Sequence, residues 1–236
     1  VFDYAFVLGP GFVGPANLNT ISGNFIGTDP TGSASAGNGA VLVIAGIGNV
    51  IGGTAPADRN VIFGDIFLGS NGAGGTIVQG NYIGLNAAGT AALPSSGSFS
   101  TILASNASSG GNIIGGSAPG AGNVIVGGTA GVNLQCPNNV VQGNFIGTNA
   151  TGTAGLGGGI GIVHADGANN TIDGNLMSGV DTGIFENAGT ANTVIRGNKI
   201  GSDVTGMAAI GNAHSGVVVH PGPFCTIGGP NAATGT

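Results

Sequence analysis

Positive charge is nearly missing from this chain. Its 236 residues include 3 Lys and Arg against 9 Asp and Glu, a net charge of −6. Three basic side chains do not make a phosphate-binding groove, which excludes a nucleic-acid partner. The same shortage excludes a polybasic membrane patch. No stretch of about 18 consecutive apolar residues occurs, so membrane insertion through a helix is not expected. The chain opens on Val1 with no Met and no charged leader, and reads as a trimmed piece of something longer. Trp is absent, and the two tyrosines, Tyr4 and Tyr82, form no evident platform for stacking sugars. Charged residues amount to 5% and glycine to 52 residues, a balance that suggests a disordered linker. The hydrophobic share of 41% argues against that, because disorder pairs low hydrophobicity with high charge. The lack of a strict Gly-X-Y period excludes collagen.

What the chain does have is a repeat. An Asn-x-Ile step recurs seven times in one frame, at Asn24, Asn60, Asn81, Asn123, Asn144, Asn175 (with Met177 for Ile) and Asn198. Six of these asparagines follow glycine; Asn60 follows Arg59. Each copy is too short to fold alone, so copies must stack into a solenoid. Two coil types alternate. One carries Gly-Asn-x-Ile-Gly, as at Gly143 to Gly147. The other carries Ile-Gly-Gly and then Asn-Val-Ile, as at Ile51 to Ile62 and Ile114 to Ile125.

Each coil reads as three short strands. One precedes the asparagine (Ile77-Val78, Val140-Val141, Val194-Ile195) and one is the Asn-x-Ile step itself. The third is a β-branched run after glycine (Val41 to Val43, Val132 to Leu134, Ile160 to Ile162, Val217 to Val219). Apolar residues alternate within these runs, the signature of strands with one buried face. No segment has helical periodicity. The expected fold is all-β: a right-handed parallel β-helix of about seven to eight coils, with residues 1–17 as an N-terminal edge or cap segment. Residues 18–236 form the repeat domain, which is expected to continue past the C-terminus. In such a coil the asparagine amides are expected to bond to one another in a structural ladder, rather than serve singly as turn residues. Cys136 and Cys225 fall three to four coils apart, about 14–19 Å at the spacing of paired strands. That is too far for an internal disulfide, so two free thiols are expected, with pairing between molecules as the alternative.

The phrases GNFIGTDPTG, GNVIGGTAPADRNVI and VVQGNFIGTNATGTAGLG resemble the repeats of bacterial right-handed parallel β-helix proteins. These belong to the pectate-lyase-like, carbohydrate-binding and sugar-hydrolase superfamily. The resemblance covers residues 18 to 236. It implies an extracellular or cell-surface setting and a role in adhesion, scaffolding or polysaccharide contact. No catalytic motif of the lyase, galacturonase or epimerase members is recognisable.

Candidate chemistry concentrates after residue 160. Ending the third strands at Val163-His164, Phe185-Glu186 and Val219-His220 stacks His164, Glu186 and His220 on successive rungs, with Asp166 nearby. That set would suit acid–base work or a metal. Counting from the preceding glycine instead aligns Val163, Asn187 and His220, and a slip of one residue reverses the face. Asp166 and Glu186 are the best carboxylate pair for glycoside hydrolysis. Calcium-binding nonapeptides are absent. Thr28, Thr148 and Ser202 align as an ice-binding column would, but Leu85 interrupts them. Asn106, Asn149 and Asn169 head glycosylation sequons. The sequence therefore points to a structural or adhesive β-solenoid, without cofactor or metal, whose partners are copies of itself end to end. The alternative is a β-helix that binds or cleaves polysaccharide through His164, Asp166, Glu186 and His220.

Overall fold

The computed structural model describes residues 4–8, 16–36, 40–43, 46–69, 74–94, 100–106, 108–187, 191–220 and 224–229. The fold is a right-handed parallel β-helix with three strands per coil. The first sheet has eight strands, from Tyr4–Leu8 to Ser215–Val219. The second also has eight, from Thr20–Ile21 to Cys225–Ile227. The third has seven, from Phe25–Ile26 to Lys199–Ile200. Each strand pairs in parallel with its counterpart one coil away, so hydrogen bonds run along the solenoid axis. Tyr4–Leu8, within the N-terminal segment, pairs with Ala40–Val43 in the first sheet. Residues 230–236, on which the expectation of a further step rests, lie outside the described residues. Among the described residues, one 3-10 turn at Pro56–Asp58 is the sole helical element.

The sequence dictates this coil through alternation. In the second sheet Ile51, Val78, Ile114, Val141, Ile172 and Ile195 stand in register and are buried. In the third sheet Ile26, Ile62, Ile83, Ile125, Ile146 and Met177 do the same. The first sheet adds Ile66, Ile102, Val132, Ile162 and Ile184. The three columns meet in one continuous apolar core. Each fully buried aliphatic side chain contributes about 1.5–3 kcal/mol.

Coil length varies because the insertions are looped out. Alternate coils carry a hairpin that begins at Thr28, Leu85, Thr148 or Ser202 and closes by bridges to Ser35, Ala92, Gly155 and Ala209. Thr28, Thr148 and Ser202 thus belong to hairpin bases. Inside each hairpin, the Oδ1 of Asp29, Asn86, Asn149 or Asp203 accepts main-chain N–H groups four and five residues on. These donors, Ser33 N–H foremost, hold the Asp29 carboxyl below the usual range; the Thr205 hydroxyl leads the same effect at Asp203. Successive hairpins bond to one another, Ala87 to Gly32, Ala150 to Gly89 and Val204 to Gly152. Gly89 shows why glycine is needed at the bend. Its φ is +69°, and a Cβ there would lie 2.8 Å from the Tyr82 ring and 2.6 Å from Ala150 Cβ.

Burial pushes the pKa of Asp65, which opens the strand Asp65–Leu68, up to about 6. The folded state therefore holds this proton in a range where the unfolded chain, with an ordinary value of 3.8, releases it. Between pH ~4 and ~6 the native state binds more protons, so stability falls as pH rises. The expected loss is about 1–2 kcal/mol after allowance for partial exposure. Urea denaturation at intervals across this range should show the decline in the native protein and a flatter profile in Asp65→Asn.

Candidate functional site

The asparagines of the repeat form a ladder at the corner between the second and third sheets. From Asn24 through Asn60, Asn81, Asn123, Asn144 and Asn175 to Asn198, each residue donates its main-chain N–H and its Nδ2–H to the next Oδ1. The distances are 2.9–3.2 Å. The other Nδ2 hydrogen reaches a carbonyl of the preceding coil, at 2.8–2.9 Å for Asn60 to Asn198. The five interior rungs are buried. Each therefore satisfies main-chain groups that would otherwise be stranded at a corner. The ladder is polar: every rung donates toward its C-terminal neighbour.

A second column, between the first and second sheets, escaped the sequence reading. Asn112 N–H and Nδ2–H donate to Asn139 Oδ1, and Asn139 does the same to Asn170 Oδ1 at 2.7 and 2.9 Å. Asn19 and Asn49 form a like pair. The signal was present, since Asn19, Asn49, Asn112, Asn139 and Asn170 each stand just before a second-sheet strand. Counting one Asn-x-Ile frame per coil concealed it. This column breaks where threonine replaces asparagine. At Thr76, both Asn49 Nδ2 and Thr76 Oγ1 are buried and find no partner among the described residues.

The second threonine, Thr193, explains His164. Here Asn170 Nδ2 lies 2.7 Å from His164 Nε2, and Thr193 Oγ1 lies 3.1 Å from Nδ1. The imidazole thus fills the place of the missing amide. Its Nδ1 also meets both Glu186 carboxylate oxygens at 2.9 Å. Its Nε2 sits between the Asn170 amide and the Gly167 carbonyl at 2.9 Å, so either tautomer finds a partner. His164 is 0% and Glu186 1% exposed. They occupy an inward column that otherwise holds Leu68, Ala104 and Leu134.

The other candidates are not brought to this pair. The register sets Glu186 against Val219, so His220 falls one residue beyond the rung assigned to it and is exposed, its ring edge-on to Phe185. Val163 pairs with Phe185, so counting from glycine also fails. Asp166 is exposed and bonds to the Gly167 N–H. Among the described residues no group of three His, Cys, Asp or Glu could hold a metal. Cys136 and Cys225 are free thiols. Burial pushes both upward in pKa, with the Glu186 charge adding to the effect at Cys225. Asn106 and Asn149 are half-buried, Asn169 is exposed, and Asn169 stacks between Asn138 and Asn192.

A groove of about 580 Å³ runs elsewhere, along the outer face of the third sheet. Its floor is built from the middle residues of the Asn-x-Ile steps: Tyr82, Val124, Phe145, Leu176 and Lys199. The hairpins form one wall, through Ala150 and Val204, and the first-ladder corner forms the other. Arg59 and Gln142 also line it. No family model, no curated protein and no solved structure matches the chain.

Proposed function

We propose that this chain is a non-enzymatic structural or adhesive β-solenoid of the cell surface or extracellular space. It acts as part of a long surface protein or as a unit that stacks end to end. Kinship with the pectate-lyase-like superfamily is part of the same proposal. One observation carries it. Buried His164 and Glu186 are spent on completing an asparagine column, buried Asp173 faces Arg196 at 3.4 Å, and Asp166 and His220 stand apart on the surface. The ladder polarity supports stacking, because a further coil, from the same chain or from another copy, would meet the same donors and acceptors. Asn106, Asn149 and Asn169 are proposed as glycan acceptors in this setting.

The test is electron microscopy of the purified chain near neutral pH, paired with a turnover assay on acidic and neutral polysaccharides. Uniform fibres with a repeat of about 4.8 Å and no turnover are expected. Separate rods at every concentration would remove the stacking proposal. Cleavage that is lost in Glu186→Gln with the fold intact would remove the non-enzymatic one.

A further inference from the structure

Seven residues precede the rungs of the first ladder: Gly23, Arg59, Gly80, Gly122, Gly143, Gly174 and Gly197. In this column one position carries a side chain, and it is an arginine. At Gly80 and Gly122 the backbone is crowded, whereas Gly174 has space but a φ of +63°. A Cβ at Gly80 would lie 2.0 Å from the Gly53 carbonyl, and one at Gly122 2.0 Å from that of Gly143. Arg59 escapes because it follows the Pro56–Asp58 turn in extended geometry, φ −61° and ψ 125°.

The Arg59 guanidinium is held in place without a counter-charge. It lies 4.1 Å above the centre of the Tyr82 ring, and its Nε donates to the Gly80 carbonyl at 3.2 Å. Among the described residues no carboxylate comes within ion-pair distance of it, whereas Arg196 has Asp173 at 3.4 Å. The cation is thus fixed at the head of the groove in a protein of net charge −6. An ordered arginine lacking an anion in a lined groove is a recognition element, because the planar fork is pre-set for a carboxylate. Lys199 stands five coils further on, about 24 Å away at the coil spacing, at the other end of the groove.

We propose that this groove docks an extended acidic peptide segment of another protein, with a carboxylate on Arg59 and apolar side chains over Val124, Phe145 and Leu176. The composition of the walls favours peptide over glycan. Between the two cations, side-chain hydrogen-bonding groups are sparse. Asn123 and Asn175 are committed to the ladder, and Gln142 already donates to Asp173 at 3.2 Å. A sugar chain needs such groups along its length. The wall N–H groups of Gly80, Gly143 and Gly174 are likewise already bonded, so what the groove offers is an apolar floor, which suits peptide side chains, and a cation for a carboxylate. The inference rests on the adhesive half of the function proposed above; fibre formation is read independently of it.

The experiment is selection of a displayed random octapeptide library on the full chain, followed by fluorescence anisotropy with the selected peptide. A consensus of acidic and apolar residues is expected, with binding weakened by salt. Arg59→Met should lower affinity at least ~10-fold, and Arg59→Lys should recover part of it. Thermal melts confirm that each variant folds. No consensus, a consensus without acidic residues, or equal affinity in folded Arg59→Met overturns the proposal. So does displacement of the peptide by neutral or acidic oligosaccharides at lower concentration than by unlabelled peptide. Peptide binding without fibres would leave this inference standing and remove stacking.

Discussion

Asn123→Ala is expected to destabilise the chain by about 3–6 kcal/mol, as a buried interior rung of the first ladder. Three buried groups lose their partner at once. Asn81 N–H and Nδ2–H both donate to Asn123 Oδ1 at 3.0 Å, and the Val78 carbonyl accepts from Asn123 Nδ2 at 2.8 Å. Each stranded group costs about 1–3 kcal/mol, and the hole left by the amide has no room to relax between rungs on either side. Asn24→Ala is the internal control. Asn24 is half-exposed, its bond to the Ser22 carbonyl lies at the surface and its bond to Asn60 Oδ1 is only partly buried. A cost of under ~1 kcal/mol is expected there. Urea denaturation of both variants gives the comparison, and equal losses would mean that the rungs act as independent turn residues.

The second large effect belongs to His164 and Glu186. His164→Leu takes the imidazole away from the buried Glu186 carboxyl group and removes partners from Asn170, Gly167 and Thr193. Taking the partner from a buried polar group costs about 1–3 kcal/mol, and more where the group is charged. Adding Glu186→Leu takes away the buried carboxyl group and continues the apolar column of Leu68, Ala104 and Leu134. The double variant should therefore be more stable than His164→Leu by ~2 kcal/mol or more, although it carries an extra substitution. A double-mutant cycle measures this directly. A double variant less stable than His164→Leu would show that Glu186 is held by contacts other than the histidine. For the function proposed here, the same double variant should leave fibre formation intact.

The fold was legible because its rule is local. Period-2 alternation places Val132, Leu134 and Ile162 inward without knowledge of any partner strand, and glycine marks the corners. The hairpins defeated that reading, since Thr28 and Leu85 sit at equivalent bases but share no chemistry that a column would reveal. The site was less legible. Whether His220 shares a rung with Glu186 depends on where a strand leaves its sheet, and one residue decides it. The Asn112–Asn139–Asn170 column was visible as asparagine before a strand, yet no spacing argument separates it from the first ladder until the corners are assigned. The role of His164 could not be read at all. It depends on Thr193, a residue 29 positions away that fails to supply an amide. The groove was hidden for a related reason: Arg59 looked like an exception to Gly-Asn, and its meaning lies in the Tyr82 ring one coil on.

The central claim is that side-chain ladders bind coil to coil along one continuous rod. Hydrogen exchange of the native chain, read by mass spectrometry, tests it most directly. The main-chain N–H groups of Asn60, Asn81, Asn123 and Asn144 each donate to the next asparagine, and they should exchange only through global opening. The hairpins at 85–92 and 148–155 should exchange earlier, through local opening. Ladder amides that exchange as fast as the hairpins, or coils that open one at a time, would contradict the account.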